Sequence, residues 1–252
     1  MTIGNPLLDL YETKLREGLE SRARIVATYG KDYWRRYDAM SREDFRAALD
    51  LPDTNWNGKW QPKRFDRRDV TRHYSWAVPS EEALLAIVEF SAGKIVELGA
   101  GTGYWARLLS NLDADVVAFD KHPAPSEDNH WHKGAESFFP VQRGGPVKAA
   151  RYPDRALMLC WPPYGDPFAS RTLKAYQNAG GRKLIFIGEG AGGCTGDDAF
   201  FTILGTNDYD KEDDTPSQDG WVCVKTIDIP QWWGLHDGMY LYERIKSGGG
   251  DS

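Results

Sequence analysis

Residues Ile95-Val96-Glu97-Leu98-Gly99-Ala100-Gly101-Thr102-Gly103-Tyr104-Trp105 carry an apolar run into three alternating glycines and then into a helix-like stretch. A glycine turn of this kind lets the main chain approach a ligand where a side chain would block it. Dinucleotide enzymes space their glycines GxGxxG and lay a pyrophosphate on a helix amino terminus. Here the spacing is GxGxG, and Glu97 stands two positions before the first glycine. A carboxylate aimed at that crevice repels a pyrophosphate but suits the ammonium and sulfonium of S-adenosylmethionine. A second carboxylate, Asp120, ends the apolar run Val116-Val117-Ala118-Phe119, where it can accept both hydroxyls of a ribose. Alone, the loop would fit a ligand-free connection and Asp120 a turn cap. The combination points to a sulfonium nucleoside.

On these residues the sequence resembles the class I S-adenosylmethionine-dependent methyltransferases, over about residues 74–244. The resemblance implies an α/β fold: a Rossmann-like, seven-stranded, mostly parallel sheet with helices on both faces and an antiparallel carboxyl-terminal hairpin. It also implies that Glu97, Gly99, Gly101 and Gly103 form the cofactor loop and that Asp120 contacts the ribose. Ala100, Tyr104 and Lys121 complete the candidate set as their chain neighbours. Tyr74 and Trp76, just before the first helix of the domain, are expected at the cofactor's methionine end. The acidic residue often found near the adenine is replaced by Gln142-Arg143-Gly144-Gly145, which leaves the adenine contacts open.

The run 156–160 leads into Trp161-Pro162-Pro163-Tyr164, which resembles the Asn-Pro-Pro-Tyr motif of amino-group methyltransferases. Two prolines fix the backbone so that carbonyls can meet an amine and the aromatic ring can stack on it. Trp161 lacks the side-chain amide that would accept an amine proton, so another group must substitute. A plain proline turn is the competing reading. Methyl transfer is an in-line displacement whose main requirement is alignment, with a base helpful for amines and more important for hydroxyls. Glu189, just past the run 184–187, and His236 beside Asp237 are the candidate bases, against the commoner meaning of a surface turn. Loop aromatics, namely Trp76, Tyr104, Trp161, Tyr164, Trp232 and Trp233, could wall a flat or cationic substrate or simply pack, with one of Trp232 and Trp233 expected inward. His130 and His132 lack a third ligand at suitable spacing, so no metal is expected and a plain loop is preferred. Lys63, Arg64, Arg67, Arg68 and Arg72 alternate with Asp66 and Asp69 and read as a solvated face.

These residues need elements to hold them. Leucines and isoleucines at helical spacing over 6–50 predict an amphipathic helical extension, and 51–75 reads as an irregular lid. Ser80 caps a helix that Gly93 ends. Strands follow over 94–98, 116–120, 138–142, 156–160 and 183–187, with helices over 104–112, 168–178 and 197–204. Two last strands, 221–227 and 238–244, are joined too closely for a helical crossover and must pair antiparallel. The expected organisation is thus an extension over 1–75, a methyltransferase domain over 76–246 and a disordered tail over 247–252.

A chain of 252 residues with 41% hydrophobic and 27% charged residues is an ordinary globular protein. No signal peptide or run of roughly 18 apolar residues occurs, so a cytoplasmic protein without a membrane span is expected. Three widely spaced cysteines read as buried thiols rather than a disulfide framework. A net charge of -6 makes nucleic acid an unfavoured partner and a small-molecule substrate the preferred one. N-methylation is the first expectation and O-methylation the next. Behind them stand a nucleic-acid amino methyltransferase and a catalytically idle cofactor-binding interaction protein. The oligomeric state stays open, a homodimer included.

Overall fold

The computed structural model describes residues 4–63, 67–206 and 215–245. The acidic stretch 208–214, read from sequence as a solvated loop, and the tail lie outside these residues. Asn5 opens α1 (Pro6–Tyr29) by accepting the Leu8 amide at 3.2 Å, and Pro6 occupies the first helical position, where a missing N–H is not needed. Gly30, at φ 86°, ends that helix. Two 3-10 turns, Tyr33–Arg35 and Tyr37–Ala39, then lead to α2 (Arg42–Leu49), capped by Ser41. The helical stretch expected over 6–50 is therefore a hairpin of two helices, closed by a small core of Ile25, Ala48 and Leu51.

The segment expected to be irregular is partly ordered. It holds a short antiparallel ladder, β1 (Asp53–Thr54) with β2 (Trp60–Gln61), and a helix, α3 (Arg67–His73). Asn55 builds the turn between the strands, its Oδ1 accepting the amides of Asn57 at 3.0 Å and Lys59 at 2.8 Å. This local side-chain turn is what the Asn/Gly-rich sequence encodes.

From α4 (Glu81–Ser91) onward strands and helices alternate as expected: β3 (Lys94–Leu98), α5 (Tyr104–Ser110), β4 (Asp115–Asp120), β5 (Val141–Arg143), β6 (Ala156–Cys160), α6 (Phe168–Asn178), β7 (Lys183–Gly188), α7 (Asp198–Leu204), β8 (Trp221–Asp228) and β9 (Gly238–Arg244). They form one seven-stranded sheet in the order β5-β4-β3-β6-β7-β9-β8, parallel except for β9, which runs antiparallel to β7 and β8. The strand expected over 138–142 begins only at Val141. Pro140 has no N–H to give to a ladder, and Phe138 stacks on Tyr74 at 5.5 Å instead.

The central strands are buried on both faces, which explains their unbroken apolar runs. Ile95, Met158, Ile185 and Ile187 pack with Leu84, Ile87 and Leu109 of α4 and α5 on one side. Val96, Leu157, Leu159 and Phe186 pack with Leu173 and Phe200 of α6 and α7 on the other. The amino terminus of α1 joins the first core through Leu7, and Tyr11 meets Trp232 edge to face at 5.2 Å. Among the described residues no helix is long and apolar enough to cross a membrane.

Candidate cofactor and acceptor site

The chain leaves β3 through α5 to reach β4 on one side, while β6 lies on the other, so a crevice opens at the carboxyl ends of β3 and β6. There the structure holds a cavity of about 750 Å³, with a small inner pocket of about 20 Å³ beside it. The main cavity is bordered by Gly99, Gly101, Asp120, Lys121 and the segment Trp161 to Tyr164. Tyr74, Glu97, Ala100 and Tyr104 line the inner pocket. Trp76, Gly99, His132, Cys160 and Trp161 line both and mark the boundary where the two meet, the neck of the site.

The amides of Gly99 and Ala100 both donate to the Phe119 carbonyl, at 2.8 and 3.0 Å, which fastens the loop to β4. Asp120 holds its far end: Oδ2 accepts the Gly101 amide at 3.0 Å and Oδ1 the His122 amide at 2.7 Å. Each oxygen keeps a further lone pair, so the carboxylate can still take two hydroxyls. Gly101 has φ 55°, and a Cβ there would sit 2.6 Å from the His132 ring. Gly103 caps α5 at φ 75° and packs against Phe139 and Val141, away from the cavity.

Glu97 is 2% exposed, and its Oε2 has no hydrogen-bond partner among the described residues. Burial first, and then the neighbouring Asp120, push its carboxyl up to about 8. A buried acid left this way is costly, and a cation seated in the inner pocket would restore its charge. The donor set therefore fits a ligand with a positively charged end and a vicinal diol.

Three tryptophans, Trp76, Trp131 and Trp161, line the same cavity. Trp161 stands at φ 50°, a left-handed conformation that costs a non-glycine residue about 1–2 kcal/mol. It is held by its amide to the Ile187 carbonyl at 2.8 Å and by Nε1 to Asp237 Oδ1 at 2.9 Å. Its ring stacks on Trp76 at 5.4 Å, and Trp131 meets Trp76 edge-on at 5.6 Å. The Arg67 guanidinium lies 5.8 Å from the Trp76 ring and 5.5 Å from that of Trp161. Tyr164 stands at the mouth, 73% exposed.

Several candidates serve other purposes. The Tyr104 hydroxyl donates to Asn5 Oδ1 at 2.8 Å and accepts the Leu7 amide at 3.1 Å, so its ring borders the pocket while its polar end docks α1. Glu189 accepts the Cys194 amide at 2.8 Å and the His236 amide at 2.8 Å. Burial alone would raise its carboxyl, but these hydrogen bonds hold it below the ordinary range. It staples two loops and lines neither pocket. His236 is exposed, whereas Asp237 is 1% exposed and turned inward toward Trp161, so the two do not form a dyad. Burial, and then Glu189, raise Asp237 to about 8. Trp232 is inward and Trp233 is 50% exposed under Lys63. The thiols are not all buried: Cys194 is exposed and lines the cavity, and all three cysteines are free.

The stretch His130-Trp131-His132, for which sequence prefers a plain loop, is tightly organised. Asn129 is buried, donates to the His122 carbonyl at 2.7 Å and accepts the amides of Trp131 at 3.1 Å and His132 at 2.9 Å. That clamp delivers Trp131 to Trp76 and His132 to the neck. His132 Nδ1 lies 2.8 Å from the Arg72 carbonyl on α3, so the amino-terminal extension contacts the site here and at Arg67. Among the described residues no group of three or more His, Cys, Asp or Glu side chains could hold a metal.

No protein-family model and no curated protein matches the sequence. Among solved structures, magnesium protoporphyrin IX methyltransferase from Synechocystis PCC 6803, with bound S-adenosylhomocysteine, is 12% identical, with 88% of this chain and 100% of that one covered and a TM-score of 0.42. An rRNA methylase from Streptococcus thermophilus is 16% identical over 66% of this chain and 95% of its own, with a TM-score of 0.38. A protein of the NADB-Rossmann superfamily from Streptococcus agalactiae is 9% identical over 68% and 71%, with a TM-score of 0.40. The strand order, the edge hairpin and the glycine turn at the switch point are those of a Rossmann-like sheet, the fold that the resemblance to class I methyltransferases implies.

Proposed function

We propose that this chain is an S-adenosylmethionine-dependent methyltransferase that methylates a nitrogen of a small molecule. The observation that carries the reading is Glu97, a buried carboxylate with an unpartnered oxygen under a glycine loop whose other end is fixed by Asp120. Glu97 would hold the cationic methionine end and Asp120 the ribose, with Gly99 and Gly101 giving the close approach. Bound there, the cofactor supplies an electrophilic methyl group on sulfur. The chain's own part is to align the acceptor against the neck and to exclude water, which Trp76, Trp131 and Trp161 do by walling it. Their π faces favour a flat or cationic acceptor, and an amine, unlike a phenol, can offer a cationic form for binding and, once deprotonated, a lone pair for attack. The net charge of -6 supports a small acceptor over a polyanion.

The exposed Tyr164 ring at the cavity mouth favours a second reading, methylation of an amino group on a nucleobase stacked there. Calorimetric titration with S-adenosylmethionine, S-adenosylhomocysteine and NAD, followed by a methyl-uptake screen of amines, phenols and oligonucleotides, tests both. Micromolar binding of the two sulfur nucleosides without NAD binding, and uptake by an amine, is the expected result. Binding of NAD alone would overturn the assignment. Oligonucleotide uptake that falls steeply with salt would replace the acceptor class. Tight cofactor binding without turnover of any acceptor would leave a binding protein.

A further inference from the structure

We infer that His132 presents a proton-accepting Nε2 to the methyl-transfer position, a role that rests on the methyltransferase reading above. A main-chain carbonyl only accepts, so the contact of His132 Nδ1 with the Arg72 carbonyl at 2.8 Å places a hydrogen on Nδ1. In the neutral ring Nε2 then carries the lone pair. Burial lowers the tendency of this ring to take a second proton, against the opposing effects of the Arg72 carbonyl and Asp120, so the lone pair is available at neutral pH. Among the described residues Nε2 makes no hydrogen bond, although the ring is buried and pinned through its own amide to Asn129. Its position is specific. The ring rests on Gly101, the middle glycine of the loop, and lies in the neck shared by the Glu97 pocket and the open cavity. The ring thus borders both the pocket proposed for the cofactor's cationic end and the open cavity from which an acceptor would come.

The step balances. As the acceptor nitrogen uses its lone pair to bond the methyl carbon, the C–S electron pair stays with sulfur, and the proton lost by nitrogen goes to His132 Nε2. This supplies the group that Trp161 cannot, and neither Glu189 nor His236 lines the cavity.

The test uses two nucleosides of defined structure. S-adenosylhomocysteine lacks the transferred methyl, while sinefungin carries an amine at that position, which as an ammonium would donate to Nε2. Titration calorimetry is expected to show the wild type binding sinefungin about tenfold more tightly than S-adenosylhomocysteine, equal to ~1.4 kcal/mol. His132→Asn keeps an N–H for the Arg72 carbonyl and removes Nε2. It should lose most of that preference while holding S-adenosylhomocysteine within about twofold. His132→Gln, which returns an amide oxygen near the Nε2 position, should recover part of it and guards against a variant that merely misfolds. An unchanged preference in His132→Asn, or an equal loss for both ligands, would overturn the proton-acceptor role with the methyltransferase reading intact. If the wild type binds neither nucleoside, that reading itself fails, and this inference with it.

Discussion

Glu97 and Asp120 are both carboxylates at strand ends, yet their surroundings give them opposite tasks. Asp120 is already satisfied by two amides and holds the loop in shape before any ligand arrives. Glu97 has an unpartnered Oε2 among the described residues, and its burial costs the free protein. Replacing each should therefore separate binding from stability. Asp120→Ala frees the Gly101 and His122 amides and would remove the proposed diol contact, and is expected to weaken S-adenosylmethionine binding by about 1–3 kcal/mol and to lower the melting temperature. Glu97→Gln should weaken binding by at least about tenfold while raising the melting temperature of the ligand-free protein at pH 8, because a neutral amide carries no buried charge. Calorimetry and thermal melts on both variants check this. If Glu97→Gln bound as tightly as wild type, the inner pocket would not be a cation site. Both carboxylates were legible in the sequence because their meaning lies in spacing along single strands. His132 was not: its significance comes from the Arg72 carbonyl sixty positions away in the chain, and no local pattern marks that contact.

At the scale of elements, what sequence conveyed best was whatever the hydrogen-bonded ladder itself dictates. Buried strands β3, β6 and β7 are apolar on both faces, and the short link between β8 and β9 permits only a hairpin, so the sheet was readable. Side-chain turns were not, since Asn55 and Asn129 each organise a segment that composition alone labels a loop. The same limit explains Trp161. Its place in the Pro-Pro-aromatic motif was visible, but the left-handed backbone was not; asparagine, the usual first residue, tolerates that conformation better than tryptophan. Here the indole's bond to Asp237 and its stacking on Trp76 offset the strain. The glycine loop gives the sharpest element-scale prediction. Gly101→Ala places a methyl group 2.6 Å from the His132 ring on a backbone at φ 55°, so that ring must shift. We expect a loss of about 1–2 kcal/mol in stability and, more tellingly, a changed His132 imidazole resonance with weakened cofactor binding. An unshifted resonance would show that the histidine does not rest on the loop.

The molecule as a whole links its extension to its site through a chain of amides and acids. Asn55 and Gln61 of the β1–β2 hairpin both donate to Gln231 Oε1, at 2.8 and 2.9 Å, and Gln231 Nε2 donates to the Asp237 carbonyl at 2.8 Å. Asp237 then holds Trp161, with the Arg67 guanidinium over that ring. Two acids thus sit buried near one site, Glu97 and Asp237, each raised to about 8 by burial and a neighbouring carboxylate. Their effect on folding has a definite sign. A carboxyl whose folded value lies above its unfolded one keeps a proton in the folded chain that the unfolded chain releases, so its stabilisation is complete below the ordinary range and is lost as the pH rises toward 8. Glu189 and Asp115 are shifted downward, and lowered His132 acts in the same direction, so these contribute at higher pH and are lost on acidification. The ligand-free protein should therefore melt highest at mildly acidic pH and lose stability from about pH 5 to about pH 8, by on the order of a few kcal/mol, with little further change above that. Glu97→Gln and Asp237→Asn should each flatten the alkaline limb, and the double variant should remove most of it. A cation beside Glu97 favours its ionised form, so the stabilisation given by S-adenosylmethionine should grow across the same interval. Thermal melts of the four proteins over pH 5–9, with and without ligand, read all of this. A wild-type alkaline limb that the double variant leaves unchanged would mean that neither acid is buried as a proton-bearing group.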